Sequence, residues 1–271
     1  MTDALLEELA AARRCRTPCA LITVAATRGS VPRAAGSKML VYQDGAISGT
    51  IGGGKFEALV IDEAKQQMRA KKPLLKTYPL HQASPESFGA ICGGEVTVLI
   101  EPQILSEAIF LIGGGHCAQA IARLAVDCGL FITVVDDRAD LISSLPAQVA
   151  TVTDVGPANF IAGRAWQNDE ALVIVSRNYE IDREALAAAL GIKGAGYIGM
   201  IGSDRKVQQV FEQLQERGVS KEDLQRVYAP LGLDIGADSP AEIAVSVLAE
   251  ILAILRKRTG KHLSEPTKMM K

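Results

Sequence analysis

Residues 108–138 constrain the fold more than any other part of this chain. The apolar run Ala108–Ile112 leads into Gly113-Gly114-Gly115. A helix-patterned stretch, Cys117–Cys128, follows, and a second apolar run, Phe131–Val135, ends in Asp136-Asp137-Arg138. Strand, tight glycine turn, helix, strand and terminal acid is the order of a Rossmann-like βαβ unit. Gly113, Gly115 and Ala118 match the G-x-G-x-x-G/A pattern. Gly113 allows the turn, Gly115 lets a phosphate approach the backbone, and Ala118 keeps the helix close to the sheet. Gly114 and His116 lie inside the same turn, where free N–H groups at the helix start face an anion. Asp136 stands where a ribose hydroxyl would be bound.

The rest of the second half continues the rhythm. Strands are expected at Ile109–Ile112, Phe131–Val135, Val149–Thr153, Ala171–Val175 and Tyr197–Ile201, with helices at Cys117–Cys128, Asp182–Leu190 and Lys206–Arg217. Alternation of this kind predicts a doubly wound parallel sheet covered on both faces. Ser239-Pro240-Ala241-Glu242 opens a last helix, with Ser as N-cap, Pro at the first helical position and Glu as the reciprocal capping partner. Pro230–Gly236 is too apolar for a free loop and is expected against the sheet edge.

The first hundred residues read differently, as a smaller α+β unit. A helix is expected at Ala4–Arg14 and strands at Cys19–Ala25, Lys38–Tyr42 and Ala46–Thr50, the last two joined through Asp44-Gly45. A helix at Phe56–Ala70 and strands at Leu74–Tyr78 and Glu95–Ile100 complete it. Glu101-Pro102-Gln103 breaks the pattern, so the domains are set at 1–103 and 104–271.

Composition removes several classes of function. A net charge of −2 offers no electrostatic attraction for nucleic acid or an anionic membrane. Aromatic content of 4% argues against base-stacking platforms. The first residues, MTDALLEELAAARR, place acids among leucines, as in an amphipathic helix rather than a secretory signal. The apolar stretch Ile243–Leu255 is too short to span a bilayer. Five cysteines without a C-x-x-C pair fit neither a disulfide framework nor a zinc ribbon. These features together predict a cytoplasmic protein.

Candidate chemistry gathers in the small-residue segments. Thr27–Arg33, Gly36-Ser37-Lys38 and Gly49–Gly54 combine glycines, hydroxyls and cations, a composition that surrounds a phosphate with backbone N–H groups. Ser30, Arg33, Gly52, Gly53 and Gly54 are the candidate ligand contacts. Glu57 follows one helical turn later and either faces that ligand or caps its own helix. Cys92 sits in a glycine-flanked turn, Ala90–Glu95, and is the candidate reactive thiol. Cys15, Cys19 and Cys128 are expected to be buried small hydrophobes. Cys117, at a helix start, is read as core. Gly202 and Ser203 form a second candidate anion site ahead of a helix, where Arg205 and Lys206 are either its cations or solvated charges.

Taken together, the stretches TRGSVPRAAGSKMLV, GTIGGGKFE, CGGEVTVLIEP, GGGHCAQAIARLA, VVDDR, YIGMIGSDRK and PLGLDIGADSPAEIAVSVLAEIL resemble the XdhC/CoxI family. The resemblance implies an accessory factor for molybdenum hydroxylases such as xanthine dehydrogenase. Such a factor binds molybdenum cofactor (molybdopterin), supports its sulfuration with a cysteine desulfurase, and delivers it to the apoenzyme. On that basis Cys92 is expected to ligate or sulfurate the molybdenum centre, with Glu57 as proton acceptor or orienting group. Relatives often carry His where this chain has Ser176-Arg177-Asn178, and an aliphatic residue where it has Cys117. The second departure marks Cys117 as a candidate sulfur- or selenium-handling residue. Two further readings stay open: an NAD(P)-dependent oxidoreductase, and a nucleotide-sensing regulatory protein. A homodimer is expected, with the loops of the first domain facing the glycine-turn edge of the second, either within one chain or across subunits.

Overall fold

Alternating burial builds the N-terminal sheet. In β1 (Cys19–Arg28), Ala20, Ile22 and Val24 enter one core while Cys19 and Leu21 enter another, as the two-residue period of a strand requires. With β2 (Lys38–Tyr42), β3 (Ile47–Gly49), β4 (Leu74–Pro79) and β5 (Glu95–Pro102) it forms a five-stranded antiparallel sheet, ordered β3-β2-β1-β5-β4. Helix α2 (Gly54–Ala70) packs Phe56, Val60 and Ala64 onto one face. Helix α1 (Thr2–Arg14) covers the other face, bringing Leu5 and Ala12 to Cys19 and Leu40. The computed structural model describes residues 2–80, 93–103 and 106–264. They fall into two compact units, Met1–Leu105 and Ser106–Lys271.

The second unit is a five-stranded parallel sheet. Its strands are β6 (Ala108–Ile112), β7 (Phe131–Val135), β8 (Ala150–Val152), β9 (Glu170–Ile174) and β10 (Tyr197–Met200), in the order β10-β9-β6-β7-β8. The order reverses between β6 and β9, the switch point at which open α/β sheets bind ligands. Both faces are covered. Phe110, Ile112, Leu172 and Ile174 pack under α5 (Pro157–Ala162), α6 (Tyr179–Gly191) and α7 (Asp204–Glu216). Ile109, Leu111, Ala171 and Val173 pack under α3 (His116–Asp127) and α9 (Pro240–Leu255). This double cover explains why β6 and β9 read as unbroken apolar runs.

Most expected elements are present, and the differences have physical causes. β1 runs to Arg28 because Thr27 and Arg28 pair with Val96 and Glu95 beyond a bulge at Val24/Ala26. That exposed, polar extension has no hydrophobic signature. Short helices at Ala139–Ile142 (α4), α5 and Lys221–Leu224 (α8) are too brief to carry a period. The Ser239 capping box is formed. The Pro230 segment lies on the β10 edge, where the Leu231 amide donates to the Met200 carbonyl at 3.2 Å. Cys19 is fully buried, but Cys15 and Cys128 are exposed, correcting their expected burial. Both lie next to helix ends, where apolar neighbours in sequence do not guarantee enclosure. Among the described residues, no helix is long and apolar enough to cross a membrane.

At the amino edge of the parallel sheet, Arg164 donates to both Glu170 carboxylate oxygens, at 2.9 and 3.0 Å. Its guanidinium lies 3.9 Å from the Phe110 ring centre and 4.5 Å from that of Trp166. Glu170 is 2% exposed, so the cation neutralises a desolvated charge. Arg164→Ala is expected to cost about 3 kcal/mol in chemical denaturation, while Arg164→Lys, which keeps the charge but not the planar fork, recovers part of it.

Candidate functional site

The glycine turn after β6 is held from three sides. Gly113 has φ 114°, and a side chain there would meet the Val175 carbonyl at 2.5 Å. Glycine is therefore required both by conformation and by the close approach of the β9 end. The Gly114 amide donates to Asp136 Oδ2 at 2.6 Å, and its carbonyl accepts from the buried Gln119 amide at 3.1 Å. Gly115 is the N-cap of α3, which leaves the first amides of that helix, those of Gly115, His116 and Cys117, outside the helical ladder. His116 is exposed at the first helical position.

Asp136 does more than stand at a ribose position. Its Oδ1 accepts from the Arg138 amide at 3.0 Å and Arg138 Nε at 2.8 Å, and its Oδ2 accepts from Arg138 Nη2 at 2.7 Å in addition to Gly114. Burial alone would raise its pKa. The Arg138 fork and the Gly114 and Arg138 amides outweigh burial and hold the carboxyl at about 2. Beside it, a recess of about 180 Å³ opens between Val135, Asp154, Val155, Pro157, Ser176 and Ile181. Arg177, from the loop after β9, reaches Asp137, after β7, at 3.3 Å.

The Gly202-Ser203 turn after β10 is organised differently from the expected anion site. Ser203 accepts from the Lys206 amide as the N-cap of α7, and a side chain at Gly202 would run into the Lys206 stem. Lys206 is neither a free cation nor a solvated charge. Its ammonium pairs with Asp182, which is fully buried and also accepts from the Ser176 hydroxyl at 2.5 Å. The turns after β9 and β10 are thereby tied through one carboxylate. Cys117 is half-buried against the α3–α9 core, and burial raises its thiol pKa.

In the N-terminal unit the candidate loops converge. Ser30 bridges to Gly93, and a side chain at Gly52 would meet the Pro32 ring at 2.6 Å. Arg33 and Thr50 share the lining of a cavity of about 490 Å³ with Glu8, Ser37, Lys38 and Ser48. Glu57 lies at the base of the Gly52–Gly54 turn. Its Oε2 accepts from the Thr50 hydroxyl at 2.5 Å and from the amides of Ile51 at 3.0 Å and Gly53 at 3.2 Å. Burial raises this carboxyl, but these donors outweigh it and hold the pKa below its ordinary value. Such a carboxylate anchors its loop. Cys92 lies outside the described residues; Gly93, which follows it, is at the Ser30 bridge.

Sequence reasoning missed Arg138, Gln119, Thr50 and the Ser176–Asp182–Lys206 chain. Arg138 stood in the VVDDR stretch, but its fork on Asp136 depends on a rotamer chosen by the fold. Among the described residues, no group of three or more His, Cys, Asp or Glu side chains is arranged to hold a metal.

Comparison with known proteins places both units. The model described as the XdhC Rossmann domain matches residues 109–251, and that of the XdhC and CoxI family matches residues 12–79. The uncharacterized protein YqeB of Escherichia coli K12 is 35% identical over 264 residues, covering 92% of this chain and 46% of that protein. A Bacillus subtilis 168 protein, described as a probable xanthine dehydrogenase subunit, is 31% identical over 162 residues, 59% of this chain and 46% of that protein. The molybdenum cofactor insertion chaperone PaoD of Escherichia coli K12 is 25% identical over 268 residues, covering 86% of this chain and 82% of that protein. The chain thus spans about half the length of the first two relatives.

The Asp136 anchor makes a pH prediction. An unfolded aspartate titrates at about 3.9, so the stabilisation is complete above about pH 5 and is lost as pH falls through about 2. The shift corresponds to about 2 kcal/mol. In urea denaturation, the stability gap between the native chain and Asp136→Asn is expected to shrink across that window. A gap independent of pH would contradict the anchoring role.

Proposed function

This chain belongs to the XdhC and CoxI family, and from that premise we propose that it binds molybdenum cofactor as cargo and assists its insertion into a xanthine dehydrogenase-type hydroxylase. The observation that carries the reading is the match to a molybdenum cofactor insertion chaperone, which runs through both units rather than through the Rossmann domain alone. The geometry supports it in chemical terms. The cargo presents a phosphate, a planar pterin and a metal centre. The free amides of Gly115, His116 and Cys117 suit a phosphate. The 490 Å³ cavity beside Arg33 and Lys38 is the size of a small-molecule pocket.

The finer steps belong to the same proposal. Sulfuration, with a cysteine desulfurase as partner, is assigned to Cys92, and the chain acts as a homodimer. Gly202 and Ser203 are retained as cofactor contacts through their backbone only, since their side-chain positions serve α7. Glu57 supports this chemistry by fixing the Gly52–Gly54 turn.

Two measurements test the reading. Purified chain incubated with free molybdenum cofactor is expected to retain molybdopterin after desalting and to raise the activity of an apo-hydroxylase. Failure of both would contradict it. Cys92→Ala is expected to leave thermal unfolding and molybdopterin retention unchanged while abolishing hydroxylase maturation. Full maturation by that variant would remove Cys92 from the mechanism.

A further inference from the structure

The Rossmann unit has the parts of a dinucleotide site, yet the group that would hold the ribose is fully engaged. An ionised carboxylate offers about four acceptor positions. At Asp136 all four are taken, two on each oxygen: the Arg138 amide at 3.0 Å and Nε at 2.8 Å on Oδ1, and the Gly114 amide at 2.6 Å and Arg138 Nη2 at 2.7 Å on Oδ2. The two amide donors belong to the turns themselves. The other two come from a single guanidinium two residues along the chain, in the planar fork geometry that suits carboxylates. Asp136 is 5% exposed and Arg138 29%, so the arginine lies on the solvent side of the acid, where a ribose would approach.

The recess next to this pair is open, about 180 Å³ in volume, with Val135, Val155, Pro157 and Ile181 on its walls. Access for a base is therefore not blocked by packing. The acceptor at the end of β7 is already occupied, and its occupation traces to one side chain, while Asp137, Asp154 and Ser176 also line the recess. We infer that Arg138 is a specificity-determining residue that closes the ribose subsite of this Rossmann unit, so that pyridine dinucleotides are rejected. The inference goes beyond the cofactor-handling reading and stands on the second unit alone.

The arrangement also separates Arg138 from the arginine that greets a ribose 2′-phosphate in NADP-binding relatives of this fold. There the guanidinium faces the ligand. Here its Nε and Nη2 are spent on Asp136, and the acid beside it would repel a phosphate.

The test titrates the full chain with NADH and NADPH by fluorescence, alongside Arg138→Ala and Arg138→Gln. The second variant keeps a polar stem of similar length and guards against a folding defect in the first. Circular dichroism checks that both fold. The native chain is expected to show no saturation below ~1 mM for either nucleotide, and both variants to bind NADH at least ~10-fold more tightly. Adding Asp136→Asn to either variant should remove the gain, because the freed acceptor is then lost. Micromolar NADH binding by the native chain would overturn the inference, as would variants that gain nothing. Tighter NADPH binding by the native chain than by the variants would also overturn it, since Arg138 would then be a ligand rather than a block.

Discussion

Each unit of this protein depends on one buried carboxylate that fixes a glycine triplet. A run of glycines offers amides for binding, but it also has more backbone freedom to lose than any other sequence. In the N-terminal unit, Glu57 gathers the Thr50 hydroxyl and the Ile51 and Gly53 amides. In the C-terminal unit, Asp136 takes the Gly114 amide. Both acids sit at or near the entry to a helix or strand end whose position is set by the core, so the turn inherits the rigidity of the sheet. Both carboxyls are held below their ordinary pKa, which is the electrostatic signature of an anchor rather than of a base.

The two edges of the parallel sheet divide the work. At the amino edge, Arg164 and Glu170 close the core against Phe110 and Trp166. At the carboxyl edge, the same kinds of residue organise loops. Arg138 pairs with Asp136, Arg177 with Asp137, and Lys206 with Asp182. The last of these ties the turns after β9 and β10 through Ser176. Amides left over at the start of α3 are then presented from a scaffold that does not have to reorganise when an anion arrives. This is the form of pre-organisation that lowers the cost of binding.

Much of this fold was legible in the sequence. The apolar runs at Ala108–Ile112 and Ala171–Val175 announced strands buried on both faces, and Ser239-Pro240-Ala241-Glu242 marked its helix start through local hydrogen bonding alone. What was hidden depended on contacts between distant residues. Whether Asp136 would meet a ligand or Arg138, and whether Lys206 would face water or Asp182, is decided by side-chain directions that exist only in the folded chain. The exposed Cys15 and Cys128 show the same limit, since burial belongs to the packed structure and not to a residue type. In the N-terminal unit, the meeting of Pro32 with Gly52 and of Ser30 with Gly93 joins segments that no local pattern connects.

Carboxylates fix the glycine turns, and under the proposed function the other amides remain available to molybdenum cofactor. Residue-resolved amide hydrogen exchange, with and without molybdenum cofactor, tests this most directly. In the free chain, the Gly53 and Gly114 amides are expected to exchange slowly, and those of Gly115, His116 and Cys117 quickly. Cofactor is expected to slow the second group and leave the first unchanged. Rapid exchange at Gly53 and Gly114 in the free chain, or a cofactor that leaves Gly115–Cys117 unprotected, would contradict it.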